Sequence, residues 1–252
     1  MGKVPEGYNA GMDSVTAARL LALNHEFYDR FGGEFSATRH RLQPGVKKIL
    51  ESLNGDESIL DLGCGNGEFA RALAKRARRG AYLGVDFSLP LLREARSQPD
   101  GVSATFREID LTKLSAFVDQ LSVEGGWPLI TAFAVLHHIP SPEMRLDILK
   151  AVRELLNEGG RFILSNWQFL NSEKLKARIQ PWKRAGLSDE DVDDGDYLLD
   201  WRSGGQGLRY AHHFSAEELQ RLAGQAGLRV HESFLSDGTD GRLALYQVWT
   251  RT

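Results

Sequence analysis

Apolar residues along this chain keep two alternating rhythms. Nearly unbroken apolar runs, of the kind made by strands covered on both faces, occupy residues 58–62, 81–86, 102–107, 128–134 and 160–166. Between them apolar residues recur every three or four positions, predicting helices over 67–78, 88–97, 111–121 and 142–156. Strand–helix alternation with right-handed crossovers gives an α/β fold with a doubly wound, mostly parallel sheet. Upstream, Val15, Leu20, Leu23 and Phe27 predict a helix over 14–30 that a Gly-Gly pair then breaks. Pro44 opens a second helix, since proline is favoured at the first helical position.

The rhythm changes after residue 167. A basic amphipathic stretch at 172–184 precedes an acidic segment at 188–200. A helix follows near 215–226, opened by Ser215 with Glu218 three residues on, the pattern of a capping box. Two last apolar runs, 228–235 and 242–250, are joined by Asp-Gly-Thr-Asp-Gly and read as an antiparallel hairpin. The expectation is one structural unit. An N-terminal helical cap (1–54) precedes a seven-stranded sheet domain (55–252), which carries an insertion at about 168–214.

Composition changes this picture little. The 252 residues carry a net charge of −3, but seven of the 34 acids lie within 188–200, so the rest of the surface is mildly basic. That permits a nucleic-acid partner without arguing for one. No tract reads as a membrane span or a secretory h-region. The one cysteine, Cys64, cannot form an internal disulfide, and a cytoplasmic setting is the default. Cys64 is either a reactive thiol or a small side chain in a tight turn. Neither the 189–196 acids nor His212-His213 have the spacing of a metal site, so no metal is expected.

The chemistry concentrates at Ile59-Leu60-Asp61-Leu62-Gly63-Cys64-Gly65-Asn66-Gly67, where a buried strand breaks into three alternate glycines ahead of a helix. Position 68 is glutamate, so the glycines do not make a dinucleotide fingerprint, and Asp61 suits a cationic ligand better than a pyrophosphate. Asp86 and Asp110 end the next two strands, so three acids stand at successive carboxyl ends, where such sheets bind ligands. Each is either a ligand acceptor or a helix N-cap.

This motif resembles the first motif of class I S-adenosylmethionine-dependent methyltransferases, which share a Rossmann-like sheet closed by an antiparallel strand. The resemblance implies S-adenosyl-L-methionine as cofactor, held by Asp61, Gly63, Cys64, Gly65, Gly67, Asp86, Phe87, Asp110, Leu111 and Ala134. Asp61 would accept from its ammonium, Asp86 from both ribose hydroxyls and Asp110 from the adenine amino group, with Phe87 over the adenine. Pro128 stands where many relatives carry an acid before the fourth strand. Further marks are similar to the tRNA wobble-uridine carboxymethyl methyltransferases: Phe35-Ser36-Ala37-Thr38-Arg39, Val135-Leu136-His137-His138, Asn166-Trp167 and Arg209-Tyr210-x-His212-x-Phe214.

That resemblance implies esterification of a carboxylate on a tRNA wobble uridine. A carboxylate is ionised at pH 7 and needs no general base. It needs an orienting cation, for which Arg39, Arg202 and Arg209 are candidates, Arg39 equally as a contact for the cofactor carboxylate. Tyr210, His212 and Trp201 would stack on or hydrogen-bond to the base, Trp201 and Tyr210 alternatively packing in the core against the final helix. His137 or His138 would act as a base, or pack under the cofactor and bond to backbone. A small-molecule methyltransferase with the same cofactor site, or a non-catalytic cofactor-binding scaffold, fits the same residues. A small activating protein partner and the oligomeric state are left open.

Overall fold

The computed structural model describes residues 12–37, 41–76, 79–97, 103–202 and 205–252. Two helices lead, α1 (Ser14–Ala37) and α2 (Pro44–Glu51). The alternating part follows: β1 (Ile59–Leu62), α3 (Glu68–Ala74), β2 (Tyr82–Asp86), α4 (Leu89–Arg96) and β3 (Ala104–Glu108). A 3-10 turn at Leu111–Phe117 enters α5 (Val118–Leu121), then come β4 (Trp127–Phe133), α6 (Pro142–Leu155) and β5 (Leu156–Trp167). The insertion holds α7 (Glu173–Lys176), β6 (Ile179–Gln180), β7 (Asp196–Trp201) and β8 (Gly207–His212). Helix α8 (Ala216–Gln225) and the hairpin of β9 (Leu228–Ser236) and β10 (Ala244–Arg251) close the chain.

The main sheet runs β3-β2-β1-β4-β5-β10-β9. Strands β1 to β5 pair in parallel, and β10 runs antiparallel to both β5 and β9. The Rossmann-like seven-stranded sheet expected from the sequence is therefore present. Its two faces bury separate cores. Leu60, Leu62, Val85, Ile130, Phe162 and Trp249 pack under α5, α6 and α8, while Ile59, Tyr82, Leu129, Ile163 and Tyr246 pack under α2, α3 and α4. The two-residue period of β1 puts Asp61 on the same face as Ile59, beneath the N-terminal helices.

Two predicted elements differ. Helix α1 does not stop at the Gly-Gly pair but runs on to Ala37. Each glycine costs about 1 kcal/mol against alanine in a helix, whereas burying Phe27 or Phe31 contributes about 1.5–3 kcal/mol each. Both rings are buried against Leu91 and Trp201, and Ser36 beyond the pair donates to Glu94 Oε2 at 2.5 Å. Tertiary packing on both sides of the pair outweighs its local cost. The predicted helix at 111–121 is instead mostly a 3-10 turn, tightened by Asp110 at its start.

The insertion, read from sequence only as a basic and then an acidic stretch, folds as a three-stranded antiparallel sheet of β6, β7 and β8. It packs on α1 through Leu20, Trp182, Leu198 and Tyr210. Among the described residues, no helix is long and apolar enough to cross a membrane.

Candidate active site

Gly63, Gly65 and Gly67 all take left-handed backbone, with φ of +70°, +53° and +77°. The amides of Gly63 and Cys64 both donate to the carbonyl of Val85, which pins the turn to the end of β2. A Cβ on Gly63 would lie 2.4 Å from Val135 Cγ2, so the loop after β4 presses on it directly. A Cβ on Gly65 would meet nothing within 4 Å, because that position faces an open cavity of about 430 Å³. Asp61, Gly63, Cys64, Gly65, Asp86, Phe87, Asp110, Leu111 and Ala134 all line this cavity. Gly67 does not, and stands instead at the start of α3.

The three acids are held in different ways. Asp61 is buried, accepting from Thr131 Oγ1 at 2.6 Å and from the Tyr82 hydroxyl at 2.5 Å. Burial pushes its pKa up to about 6, the two hydroxyls offsetting part of the desolvation. Asp86 accepts from the amides of Gly65 and Ser88, each at 2.9 Å, and burial raises its pKa too. Asp110 caps the 3-10 turn, accepting from Thr112 N and Oγ1. Asp110 thus caps this turn and also lines the cavity.

Other details refine the expected pocket. Cys64 is buried, burial raises its thiol well above the ordinary range, and its sulfur packs on Gly84, where a Cβ would come within 2.8 Å. It is the small side chain of a tight turn. Phe87 is not a free platform, since His25 of α1 stacks on it at 4.2 Å and 18°. Ala134 has φ +57°, its amide donating to both the carbonyl and Oγ of Ser165 at 3.0 Å. A non-glycine residue there stores about 1–3 kcal/mol of strain, and such strain clusters at ligand sites.

Three carboxylates beside an open glycine cradle suit a ligand bearing an ammonium, a diol and an exocyclic amine. They would repel a pyrophosphate. These acceptors fit the cofactor implied by the first motif.

The opposite wall is built by α1, the loop after β4 and β8. Arg209 lines the cavity although only 6% exposed, its guanidinium carbon 4.8 Å from the Trp167 ring, 5.2 Å from Phe27 and 5.9 Å from Trp201. Such rings attract a cation and strip water from its surroundings. Trp201 is thereby part of the wall around Arg209 and packs edge-on against Phe27 at 5.4 Å. Arg202 lies in the exposed chain beyond, paired with Asp200 at 2.7 Å. Arg39, Thr38 and the side chains of Phe35 and Ala37 lie outside the described residues.

Tyr210 takes the core-packing alternative, and His212 is placed away from the cavity it was expected to face. Alternation along β8 turns both away from the cavity that Arg209 faces. Tyr210 is fully buried, its hydroxyl donating to Asp196 Oδ1 at 2.6 Å and accepting from Arg145 Nη2 at 2.8 Å. His212 bridges Asp196 and Glu218, at 2.6 and 3.0 Å. Glu218 therefore makes only half of the predicted capping box: its amide takes Ser215 Oγ, while its carboxylate faces His212 and Arg145. This is a buried charged network joining the insertion to α6 and α8.

His137 and His138 both line the cavity. His137 Nδ1 faces the amide of Trp167 at 3.4 Å. His138 Nδ1 faces the carbonyl of Tyr210 and its Nε2 the hydroxyl of Tyr28, both at 3.1 Å.

Sequence reasoning missed Arg145, Tyr28, Asn24 and Arg41, the last three of which line the cavity. Arg145 had a signal. It falls on the apolar stripe of α6 with Ile148, Leu149, Val152 and Leu155, all buried, and is itself 0% exposed. Tyr28 and Asn24 lay inside an amphipathic helix and looked like any of its other positions.

Comparison with known proteins is consistent with this geometry. A family described as a methyltransferase domain matches residues 35–233. A protein of Encephalitozoon cuniculi whose name carries the same assignment is 32% identical over 86% of this chain and 90% of its own length. The tRNA (carboxymethyluridine(34)-5-O)-methyltransferase ALKBH8 of Macaca fascicularis is 31% identical over 60% of this chain, a stretch covering 21% of that protein. A ubiquinone biosynthesis O-methyltransferase of Pseudomonas paraeruginosa is 26% identical, with 62% and 64% of the two chains covered. Among solved structures, a SAM-dependent methyltransferase from Methanosarcina mazei superposes with a TM-score of 0.63 at 22% identity, covering 83% of this chain and 98% of the other.

Proposed function

The chain belongs to the methyltransferase-domain family and is an S-adenosylmethionine-dependent methyltransferase, and from that premise we propose that its acceptor is a carboxylate carried on a tRNA wobble uridine. The observation that carries this reading is Arg209, a buried guanidinium facing the cavity from within three aromatic rings. A planar fork of donors matches a carboxylate, and the dry wall strengthens each bond it makes. Bound S-adenosylmethionine supplies an electrophilic methyl group on its sulfonium. The chain's own residues then have to hold, aim and dry.

In this reading Asp61, Asp86 and Asp110 hold the cofactor against the glycine turn, and Arg209 aims one carboxylate oxygen at the reacting centre. The acceptor arrives ionised, so esterification asks only for alignment and exclusion of water. The tRNA assignment draws on the ALKBH8 similarity and on the insertion. Leu175 lines the cavity, while its neighbours Lys174 and Lys176 are exposed, Lys176 pairing with Glu173 at 2.7 Å. Exposed cations beside a cavity mouth suit a phosphate backbone whose splayed base enters.

The test is cofactor turnover with bulk tRNA, with and without ribonuclease, followed by nucleoside mass spectrometry. A new methyl ester on a wobble uridine, lost after ribonuclease and at high salt, is the expected outcome. Turnover confined to free small acids would replace RNA with a metabolite as acceptor. Cofactor binding with no turnover on either would favour a scaffold.

A further inference from the structure

A second hollow lies outside the cavity that holds the glycine turn. It opens between α1, the 3-10 turn at Trp182–Ala185 and the first residues of β8, and encloses about 290 Å³. Phe27, Phe31 and Leu208 line it with apolar surface, and Glu26, Arg30 and Arg184 stand exposed around them. Glycine shapes the floor. A Cβ on Gly207 would come within 2.7 Å of the Phe31 ring and 3.4 Å of Phe27. One on Gly205, whose φ is +147°, would come within 2.8 Å of Phe31. Bare backbone therefore lies close on both rings, which are covered and offer no free face for stacking. The exposed planar group is Arg30, its guanidinium carbon 5.1 Å from the Phe31 centroid. Arg184 comes from the insertion and is steadied by Nη1 donating to Gln180 Oε1 at 2.6 Å.

These groups select among ligands. Two arginines bordering an apolar floor suit a phosphodiester, and a guanidinium plane suits a nucleobase. Glu26, one helical turn before Arg30, disfavours a bare polyanion and can accept from a sugar hydroxyl or a base N–H. Location narrows the choice further. Phe27 lines the hollow, while its ring lies 5.2 Å from the guanidinium carbon of Arg209, which lines the cavity. The two spaces share the Phe27–Arg209 layer as a wall. A base turned out of a loop into the cavity keeps its phosphates outside, and the next residue of the strand falls beside it.

We propose that this hollow seats the nucleotide adjoining the target uridine in single-stranded RNA, with its phosphate between Arg30 and Arg184 and its base against the Arg30 plane. The inference rests on the RNA acceptor reading and adds a second, non-reacting contact to it. Binding energy from a part of the acceptor that does not react would hold the reacting base in line.

The test uses the full chain and an anticodon stem-loop carrying 5-carboxymethyluridine at the wobble position, beside the free nucleoside 5-carboxymethyluridine. Fluorescence anisotropy with S-adenosylhomocysteine present reads stem-loop binding without turnover. Arg30→Ala combined with Arg184→Ala is expected to weaken that binding about 10- to 100-fold and to reduce the salt slope by about one. On the stem-loop kcat/KM should fall by a similar factor. On the nucleoside it should fall less than twofold, because the nucleoside has nothing to place in the hollow. Arg30→Lys should keep the wild-type salt slope and still lose affinity, since an ammonium has no plane. Unchanged stem-loop binding in the double variant would overturn this inference and leave the tRNA reading intact. An equal loss on stem-loop and nucleoside would make the two arginines structural and overturn it as well. Turnover of free acids by a wild type that binds no stem-loop would remove the tRNA reading, and the role of the hollow with it.

Discussion

The two walls of the cavity are built on different principles. On the cofactor side, a local run of residues is bent by positive φ at Gly63, Gly65 and Gly67 and tied by backbone amides to Val85 and Asp86. On the opposite wall, nothing local suffices. Arg209 is placed by rings from three separate parts of the chain, and the strand that carries it is anchored through a buried network of Arg145, Asp196, Tyr210, His212 and Glu218. A wall made of backbone geometry tolerates change around it, and a wall made of distant side chains does not. This predicts that substitutions in the buried network affect acceptor turnover and folding, while those in the glycine turn affect cofactor affinity.

The largest expected effect is on the network. Arg145 is 0% exposed, donates from Nε to the Ile139 carbonyl at 2.8 Å, and lies 3.6 and 3.5 Å from Asp196 and Glu218. Arg145→Met strands those acids, and urea unfolding should show a loss of about 3–5 kcal/mol. A loss below about 1 kcal/mol would show that the insertion is held by its apolar contacts instead.

Next comes Asp86→Ala, which removes the acceptor expected for two ligand hydroxyls. Calorimetry should find cofactor affinity weaker by about 2–3 kcal/mol, and the melting temperature of the free protein should fall as well, because the Gly65 and Ser88 amides lose their acceptor. Unchanged affinity would remove Asp86 from the site. Arg209→Ala should reverse that pattern, lowering kcat/KM for the acceptor about 10- to 100-fold while cofactor affinity stays within twofold. Arg209→Lys should restore little, because an ammonium has no planar fork.

The smallest effect is a pH dependence. The Asp61 carboxyl titrates near 6 in the folded chain against 3.8 for an ordinary aspartate. The folded state therefore keeps its proton longer than the unfolded state, and this group lowers stability as pH rises from about 4 to about 6. A ligand ammonium needs the ionised form, so cofactor affinity should fall about tenfold per unit as pH drops below about 6. Calorimetry from pH 5 to 8 reads this directly, and Asp61→Asn should flatten the profile.

Much of the architecture was legible because it depends on short-range pattern. The continuous runs at the five parallel strands and the hairpin signal of Asp-Gly-Thr-Asp-Gly need no distant partner to be read, and the observed strands fall within two residues of most expected bounds. The misses share a cause. Gly32 and Gly33 read as a break because their local cost is visible and the burial of Phe27 and Phe31 is not. Tyr210 and His212 read as substrate contacts because polar aromatic residues beside an arginine look alike whichever face of the strand they occupy. Only the strand conformation of β8, with its two-residue period, sets Arg209 and Tyr210 on opposite sides.

From the residue order alone, the methyltransferase turn, its three acids and the sheet that carries them were determined, because positive-φ glycines and strand ends are properties of a few consecutive residues. Tertiary structure alone decided that Arg209 and Arg41 line the cavity, how His138 is oriented, and where the insertion is anchored. Those properties belong to contacts between segments as far apart as Asn24 and Tyr210. No local pattern encodes them, since each depends on which side chain the folded chain brings to the other end.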